Sequence, residues 1–324
     1  MKTYLEAVRE ALWESLEADP AVFLLGEDIG VYGGAFKVTQ GFVEHFGARR
    51  IIDTPIAEAG IIGAAIGAAL MGMRPVVEMQ FMDFISCGFD MLTNFAAKAR
   101  YRFGASIPIV VRGPGGGLVG GGPFHSQSIE MYFVKTPGIK VVVPSTAADA
   151  KVLLKAAIQD PDPVLFIEHK ALYRAPALRE VLPGPEAVGM LGRAAVRRPG
   201  EDLVILTYGA MVHRSMEAAE ALASEGFSIQ VMDLRTLQPL DEAAIIAATK
   251  ACGKVLIVHE DTRTGGLAGE LTSRIQEHAF EWLDAPILRV TAPDAPVPFA
   301  KGLEEAYYPS VADIAAKARW LLRY

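Results

Sequence analysis

The segment Asp53-Thr54-Pro55-Ile56-Ala57-Glu58-Ala59-Gly60-Ile61-Ile62-Gly63 puts one carboxyl group where proton chemistry could be done. Pro55 biases the chain away from helix just before it, and Glu58 then opens an apolar run, Ala59 to Met73, free of charged residues. A carboxylate there meets opposed influences: the helix N-terminus favours charge and an apolar setting favours neutrality. Such opposition is typical of carboxyl groups tuned for proton transfer; a plain helix-capping acid is the alternative. Further along come Glu78-Met79-Gln80-Phe81-Met82-Asp83-Phe84, after a β-branched run, and Phe124-His125-Ser126-Gln127, after a glycine loop. Aromatics after a strand serve either the core or a flat ligand, and a histidine beside a serine is either structural or reactive.

Other motifs lead nowhere. Gly115-Gly116-Gly117-Leu118-Val119-Gly120 matches G-x-G-x-x-G, but Gly121-Gly122-Pro123 follows where a dinucleotide site needs a helix, and no acid ends the next strand. Seven glycines between Gly113 and Gly122 read better as a loop passing close to a ligand or partner. His259-Glu260 begins like a zinc-protease helix, yet Arg263 stands where the second histidine belongs. Neither a G-x-S-x-G elbow nor a Walker A loop is present.

The elements that must position these residues alternate. Strands are expected at Val22–Leu25, Ile51–Asp53, Val76–Met79, Ile107–Val111, Val141–Val143 and Val164–Glu168, then at Leu203–Tyr208, Ile229–Leu234, Lys254–His259 and Ile287–Thr291. Near-continuous apolar runs suit parallel strands covered on both faces. Amphipathic helices are expected at Tyr4–Ala18, Ser86–Arg102, Ala147–Gln159, Met211–Ser224 and Asp241–Ala251. This alternation predicts α/β layers. A proline- and glycine-rich stretch, Pro176 to Gly200, marks a domain boundary, giving domains at 1–185 and 200–324 with a linker at 186–199.

A length of 324 residues with 51% hydrophobic side chains supports two cores. The net charge of −7 argues against a nucleic-acid partner. The Ala59–Met73 run is too short for a membrane span, which takes about 20 apolar residues, and the N-terminus shows no signal-peptide pattern; a cytoplasmic location is expected. Cys87 and Cys252 are read as unpaired buried thiols.

Together, Asp53–Glu58, Arg112-Gly113-Pro114, His125-Ser126-Gln127, Pro163–Arg174, Asp233-Leu234-Arg235-Thr236 and Val258-His259-Glu260 resemble the β subunits of 2-oxo acid dehydrogenase E1 components, through almost the whole chain. The resemblance implies a pyrimidine-type thiamin-diphosphate-binding domain followed by a transketolase C-terminal-like domain for subunit and E2 contacts. It implies that Glu58 hydrogen-bonds N1′ of the thiamin aminopyrimidine and that the cofactor serves as electron sink for decarboxylation. Phe84 falls on the aromatic that stacks on that ring, Gln80 lies nearby, and His125 matches a histidine on the thiazolium side, thought to assist the intermediate or lipoyl acylation.

The Gly-Asp-Gly motif that holds Mg²⁺ and diphosphate in thiamin enzymes is missing; the chain has no Gly-Asp pair. The resemblance therefore implies that an α subunit holds Mg²⁺ in an α2β2 heterotetramer, which hands acyl groups to a lipoyl-bearing E2. Gly60, Gly63, Ala64, Gly67 and Ala68 form one small-residue helix face, suited to close packing against a partner or within the domain. Family members bind K⁺ through carbonyls near Ala157, Asp160 and Asp162, although Asp162 departs from the expected Asn. His259 and Glu260 are given a structural role. Gln80–Phe84 and Phe166–Arg174 look closer to branched-chain (3-methyl-2-oxobutanoate) enzymes than to pyruvate or acetoin ones. A self-sufficient transketolase-like enzyme and a non-catalytic assembly subunit are the rival readings.

Overall fold

The computed structural model describes residues 1–324, which divide into two units: Met1–Gly115 with Tyr132–Leu191, and Gly116–Met131 with Gly192–Tyr324. The glycine-rich loop and His125 thus belong to the second unit, although they fall within residues 1–185 of the sequence division.

The first unit contains strands β1 (Val22–Gly26), β2 (Ile51–Asp53), β3 (Arg74–Glu78), β4 (Val110–Gly115), β5 (Lys140–Val142) and β6 (Val164–His169). They lie in the order β5-β6-β4-β3-β1-β2, every pairing parallel. β1, β4 and β6 are buried along their whole length, as their continuous apolar runs require. The expected strand at 107–111 begins only at Val110, because Pro108 has no N–H to give to a ladder. From β1 the chain goes to β2 on one side and to β3 on the other. A topological switch point therefore lies between the carboxyl ends of β1 and β3, where open α/β sheets bind ligands.

Helices Tyr4–Ala18 and Ala147–Gln159 match expectation. Their contact carries part-buried ion pairs: Lys151 Nζ lies 2.7 Å from both Glu10 and Glu14, and Lys155 Nζ lies 2.8 Å from Glu14. The stretch expected as one helix, Ser86–Arg102, is instead broken into 3₁₀ turns at Met82–Gly88 and Ala96–Lys98, a π turn at Met91–Phe95 and a short α-helix at Ala99–Phe103. Close approach is the reason. A Cβ on Gly88 would run into the Ile62 side chain and reach within 3.5 Å of the Glu58 carbonyl, so the backbone gives up regular helix to pass the helix Glu58–Leu70.

The second unit holds β7 (Ala195–Arg198), β8 (Leu203–Thr207), β9 (Ile229–Asp233), β10 (Thr236–Gln238), β11 (Val255–Thr262) and β12 (Leu288–Ala292). Its sheet runs β12-β11-β8-β9-β7, parallel except for β7, which is antiparallel to β9. β7 lies in the stretch marked as linker. It is a polar edge strand, tied by Arg197 to Asp233 Oδ2 at 2.7 Å, so no apolar run announces it. No helix is long and apolar enough to cross a membrane.

Candidate active site

The first unit gathers its chemistry at the carboxyl edge of the sheet, where β1, β2 and β3 end in register at Gly26, Asp53 and Glu78. Each strand then delivers an acid or amide. After β1 come Glu27 and Asp28; after β2, Thr54 leads to Glu58, the first residue of the helix Glu58–Leu70; after β3 come Gln80 and Phe84. The exits are stitched together. Thr54 N–H donates to the Gly26 carbonyl at 3.0 Å, Gly30 N–H to Asp53 Oδ1 at 2.6 Å, and Gln80 Nε2 to Asp28 Oδ2 at 3.2 Å across the switch point.

Glu58 is half-buried, and no side chain caps its helix. Glu27, buried on the preceding strand exit, is held above the ordinary carboxylate range by burial first and then by the charges of Glu58 and Asp28. Sequence reasoning missed Glu27; the signal was an acid pair ending a strand, the topological equivalent of the position that delivers Glu58. Phe84 stands edge-on to Phe81 with ring centres 6.1 Å apart, and Phe81 meets Phe36 at 5.7 Å. Gln80 and Phe84 are therefore delivered to the same sheet edge as Glu58.

Beneath the edge lies a buried charge network that the sequence did not disclose as a unit. Arg112 on β4 pairs with Glu78 on β3 and, through Nη2 at 2.6 Å, with Glu168 on β6. Tyr173 donates its hydroxyl to Glu168 at 2.6 Å. Burial outweighs Arg112 and lifts the Glu78 carboxyl. Gly34, at φ 81°, lets the loop after β1 cross this network: a Cβ there would come within 2.9 Å of Glu78 Oε1.

His125, half-buried, belongs to the second unit, on the loop that follows the glycine run. In that unit His259 is fully buried and held neutral, its pKa lowered to about 4 chiefly by burial. It accepts from Ala268 N–H at 3.4 Å, in the first turn of the helix Leu267–Ala279, which is structural service. Cys87 and Cys252 are both free thiols. Cys252 is buried, but Cys87 is exposed, contrary to expectation.

The resemblance implies two groups, an aminopyrimidine and a potassium ion. An aminopyrimidine fits the first-unit edge: Thr54 Oγ1 is buried there without a hydrogen-bond partner, and half-buried Glu58 can bond a ring nitrogen. Potassium does not fit Ala157, Asp160 and Asp162. Arg74 donates to the Ile158 and Asp160 carbonyls at 2.9 and 3.4 Å, Lys140 to Asp160 Oδ1 at 2.6 Å, and Arg100 pairs with Asp162. Three cations already surround the place.

Two α/β units with mostly parallel sheets, the first with an acid at its switch point, define the class of fold. Residues 1–176 match the family model "Transketolase, pyrimidine binding domain" and residues 192–314 match "Transketolase, C-terminal domain". The chain is 47% identical to the 2-oxoisovalerate dehydrogenase subunit beta of Bacillus subtilis strain 168, covering 99% of both chains. It is 43% identical to the pyruvate dehydrogenase E1 component subunit beta of the same organism, again over 99% of both. A mitochondrial pyruvate dehydrogenase E1 component subunit beta-2 of Oryza sativa subsp. japonica is 42% identical over 98% of this chain and 85% of that protein. A solved split-gene transketolase, an inactive β4 tetramer, superposes with a TM-score of 0.81 at 23% identity, covering 99% of this chain and 98% of that one. The chain belongs to the family of E1 β subunits of thiamin-diphosphate-dependent 2-oxo acid dehydrogenases.

Proposed function

We propose that this chain supplies the aminopyrimidine half of an E1 active site that an α subunit completes in an α2β2 heterotetramer, with a branched-chain 2-oxo acid as preferred substrate. The observation that carries the reading is Glu58, half-buried at the head of an apolar helix and facing the charge-averse Glu27. In the bound state Glu58 would hold N1′ of the aminopyrimidine, Phe84 would give the ring an aromatic neighbour, and Gln80 would line the same edge. Thiamin diphosphate supplies the electron sink for decarboxylation when bound. The part of Glu58 would be to share a proton with the ring nitrogen, as a carboxyl within hydrogen-bond reach does. His125 serves the later steps, acyl transfer to a lipoyl group on E2, and Mg²⁺ is held by the α subunit.

The shape of the helix Glu58–Leu70 supports a partner. Ile61, Ile62, Ala65, Ile66 and Ala69 are its buried positions, while Gly60, Ala64 and Gly67 are exposed, with no atom within 4 Å of a Cβ placed on Gly67. The small-residue face is left for another backbone to approach. Branched-chain preference is supported by the Gln80–Phe84 segment and by the somewhat higher identity to the 2-oxoisovalerate enzyme subunit.

Glu58→Gln tests the reading. In the assembled complex it should lower 2-oxo acid decarboxylation at least about 100-fold, the scale of a lost acid–base group, with the heterotetramer mass unchanged. Full activity would turn the reading toward an assembly subunit without chemistry. The rate ratio for 3-methyl-2-oxobutanoate against pyruvate decides the substrate.

A further inference from the structure

The glycine-rich loop of the second unit is built like an anion site. Gly116, Leu118, Gly120 and Gly122 all have left-handed backbone, with φ between 66 and 72°. Left-handed residues alternating with their neighbours turn successive N–H groups toward one concave side, the arrangement that binds phosphates in other proteins. Here the protein fills it with its own carboxylates. Glu304 accepts from Val119 N–H at 3.3 Å and from Gly120 N–H at 2.9 Å, and Glu260 accepts from Gly117 N–H at 3.2 Å.

Both acids are placed for this purpose. Glu304 is the only buried residue of the helix Lys301–Tyr307, and Glu260 is buried on β11. A buried carboxylate without compensation is costly, and charge-assisted N–H bonds are the strong kind that offset it. The same surface holds the next stretch of the loop: the Tyr308 hydroxyl donates to the Ser126 carbonyl at 3.2 Å, and His125 N–H donates to the Gly122 carbonyl at 3.3 Å. Gly121 and Gly122 lie too close to Ser126 Oγ and Phe299 to carry a side chain, at 2.6 and 2.8 Å from a built Cβ.

We propose that Glu304 and Glu260 are positioning residues for the His125 loop, an internal anion clamp that fixes where the histidine is presented. The inference rests on the reading of His125 as a participant in acyl transfer. In this G-x-G-x-x-G sequence the N–H groups of Gly117, Val119 and Gly120 are already engaged by carboxylates.

The test uses the assembled α–β complex with Glu304→Ala, Glu304→Gln, His125→Ala and the double variant. Two readouts are taken: amide hydrogen exchange at Val119 and Gly120, and the rate of acyl transfer to a lipoyl domain. Glu304→Ala should raise exchange at both amides about tenfold or more, as expected for a lost charge-assisted bond. It should also slow acyl transfer about tenfold or more, as misplacement of a reacting group does. Glu304→Gln, whose carbonyl still accepts, should recover part of both. The double variant should be no slower than His125→Ala alone. Unchanged exchange in Glu304→Ala would overturn the clamp whatever the activity does. Raised exchange with normal transfer, while His125→Ala is slow, would overturn the positioning role. Normal transfer in His125→Ala would instead remove the reading of His125 and leave exchange to decide the clamp alone.

Discussion

Glu130 shows how a single buried acid makes stability depend on pH. Its carboxyl accepts from the Tyr208 hydroxyl at 2.8 Å and is raised to about 8, first by burial and then by Asp261, itself raised to about 6 by burial. Between the ordinary glutamate value of 4.5 and about 8, the folded chain therefore holds more protons than the unfolded one. Stability is fully present below that range and is lost as pH rises through it. His259 has the opposite sign, since its lowered pKa removes stability as pH falls below its ordinary 6.5. The clean window is thus pH 6.5 to 8. The urea midpoint should fall across it, with a slope of at most about 1.4 kcal/mol per pH unit for one proton, and Glu130→Gln should flatten the fall. An equal slope in both proteins would contradict the assignment. At this scale Glu58, Gln80, Phe84 and His125 drew notice through family motifs, and the structure delivers the first three to one sheet edge. Glu27, Glu130 and Glu304 were not, because an isolated acid carries no sign of the wall it faces.

Arg112 belongs to the element scale, since it ties three adjacent strands through Glu78 and Glu168. Glu78 and Arg112 are paired in register on β3 and β4, so the guanidinium and carboxylate meet without any loop to adjust them. Removing the cation leaves two carboxyl groups buried with no counter-charge. Arg112→Met should cost about 3–5 kcal/mol, the range for breaking a buried pair, read as a lowered urea midpoint. A loss under about 1 kcal/mol would mean that a protonated Glu78 already carries the network. Strands such as Ile51–Asp53 and helices such as Tyr4–Ala18 were legible because period and composition agree there. The Met82–Phe103 region was not: its apolar spacing suits several helix types, and Gly88, pressed on Ile62, makes the choice through a contact distant in sequence.

At the scale of the molecule, what the chain lacks mattered as much as what it carries. The missing Gly-Asp-Gly motif was visible in the sequence and set the expectation of a shared site. The polar edge strand β7, by contrast, could not be seen in the segment marked as linker. The surface leaves apolar side chains bare: Ile56 and Met71, at the two ends of the helix Glu58–Leu70, are 80% and 84% exposed, beside the small-residue face. Covering them is a reason to bind a partner. Substitution of Gly67 by Leu on that face should leave this chain folded, with its melting temperature little changed, yet weaken α-subunit binding by at least about tenfold, as overpacking of a close interface does. Titration calorimetry or size-exclusion chromatography would read it, and unchanged binding would place the interface elsewhere.

The central claim is that the chain holds half of a thiamin site. The direct measurement is oxidation of 3-methyl-2-oxobutanoate with an artificial electron acceptor, thiamin diphosphate and Mg²⁺, by this chain alone and after mixing with its α subunit. The account predicts turnover only in the mixture; turnover by the chain alone would contradict it.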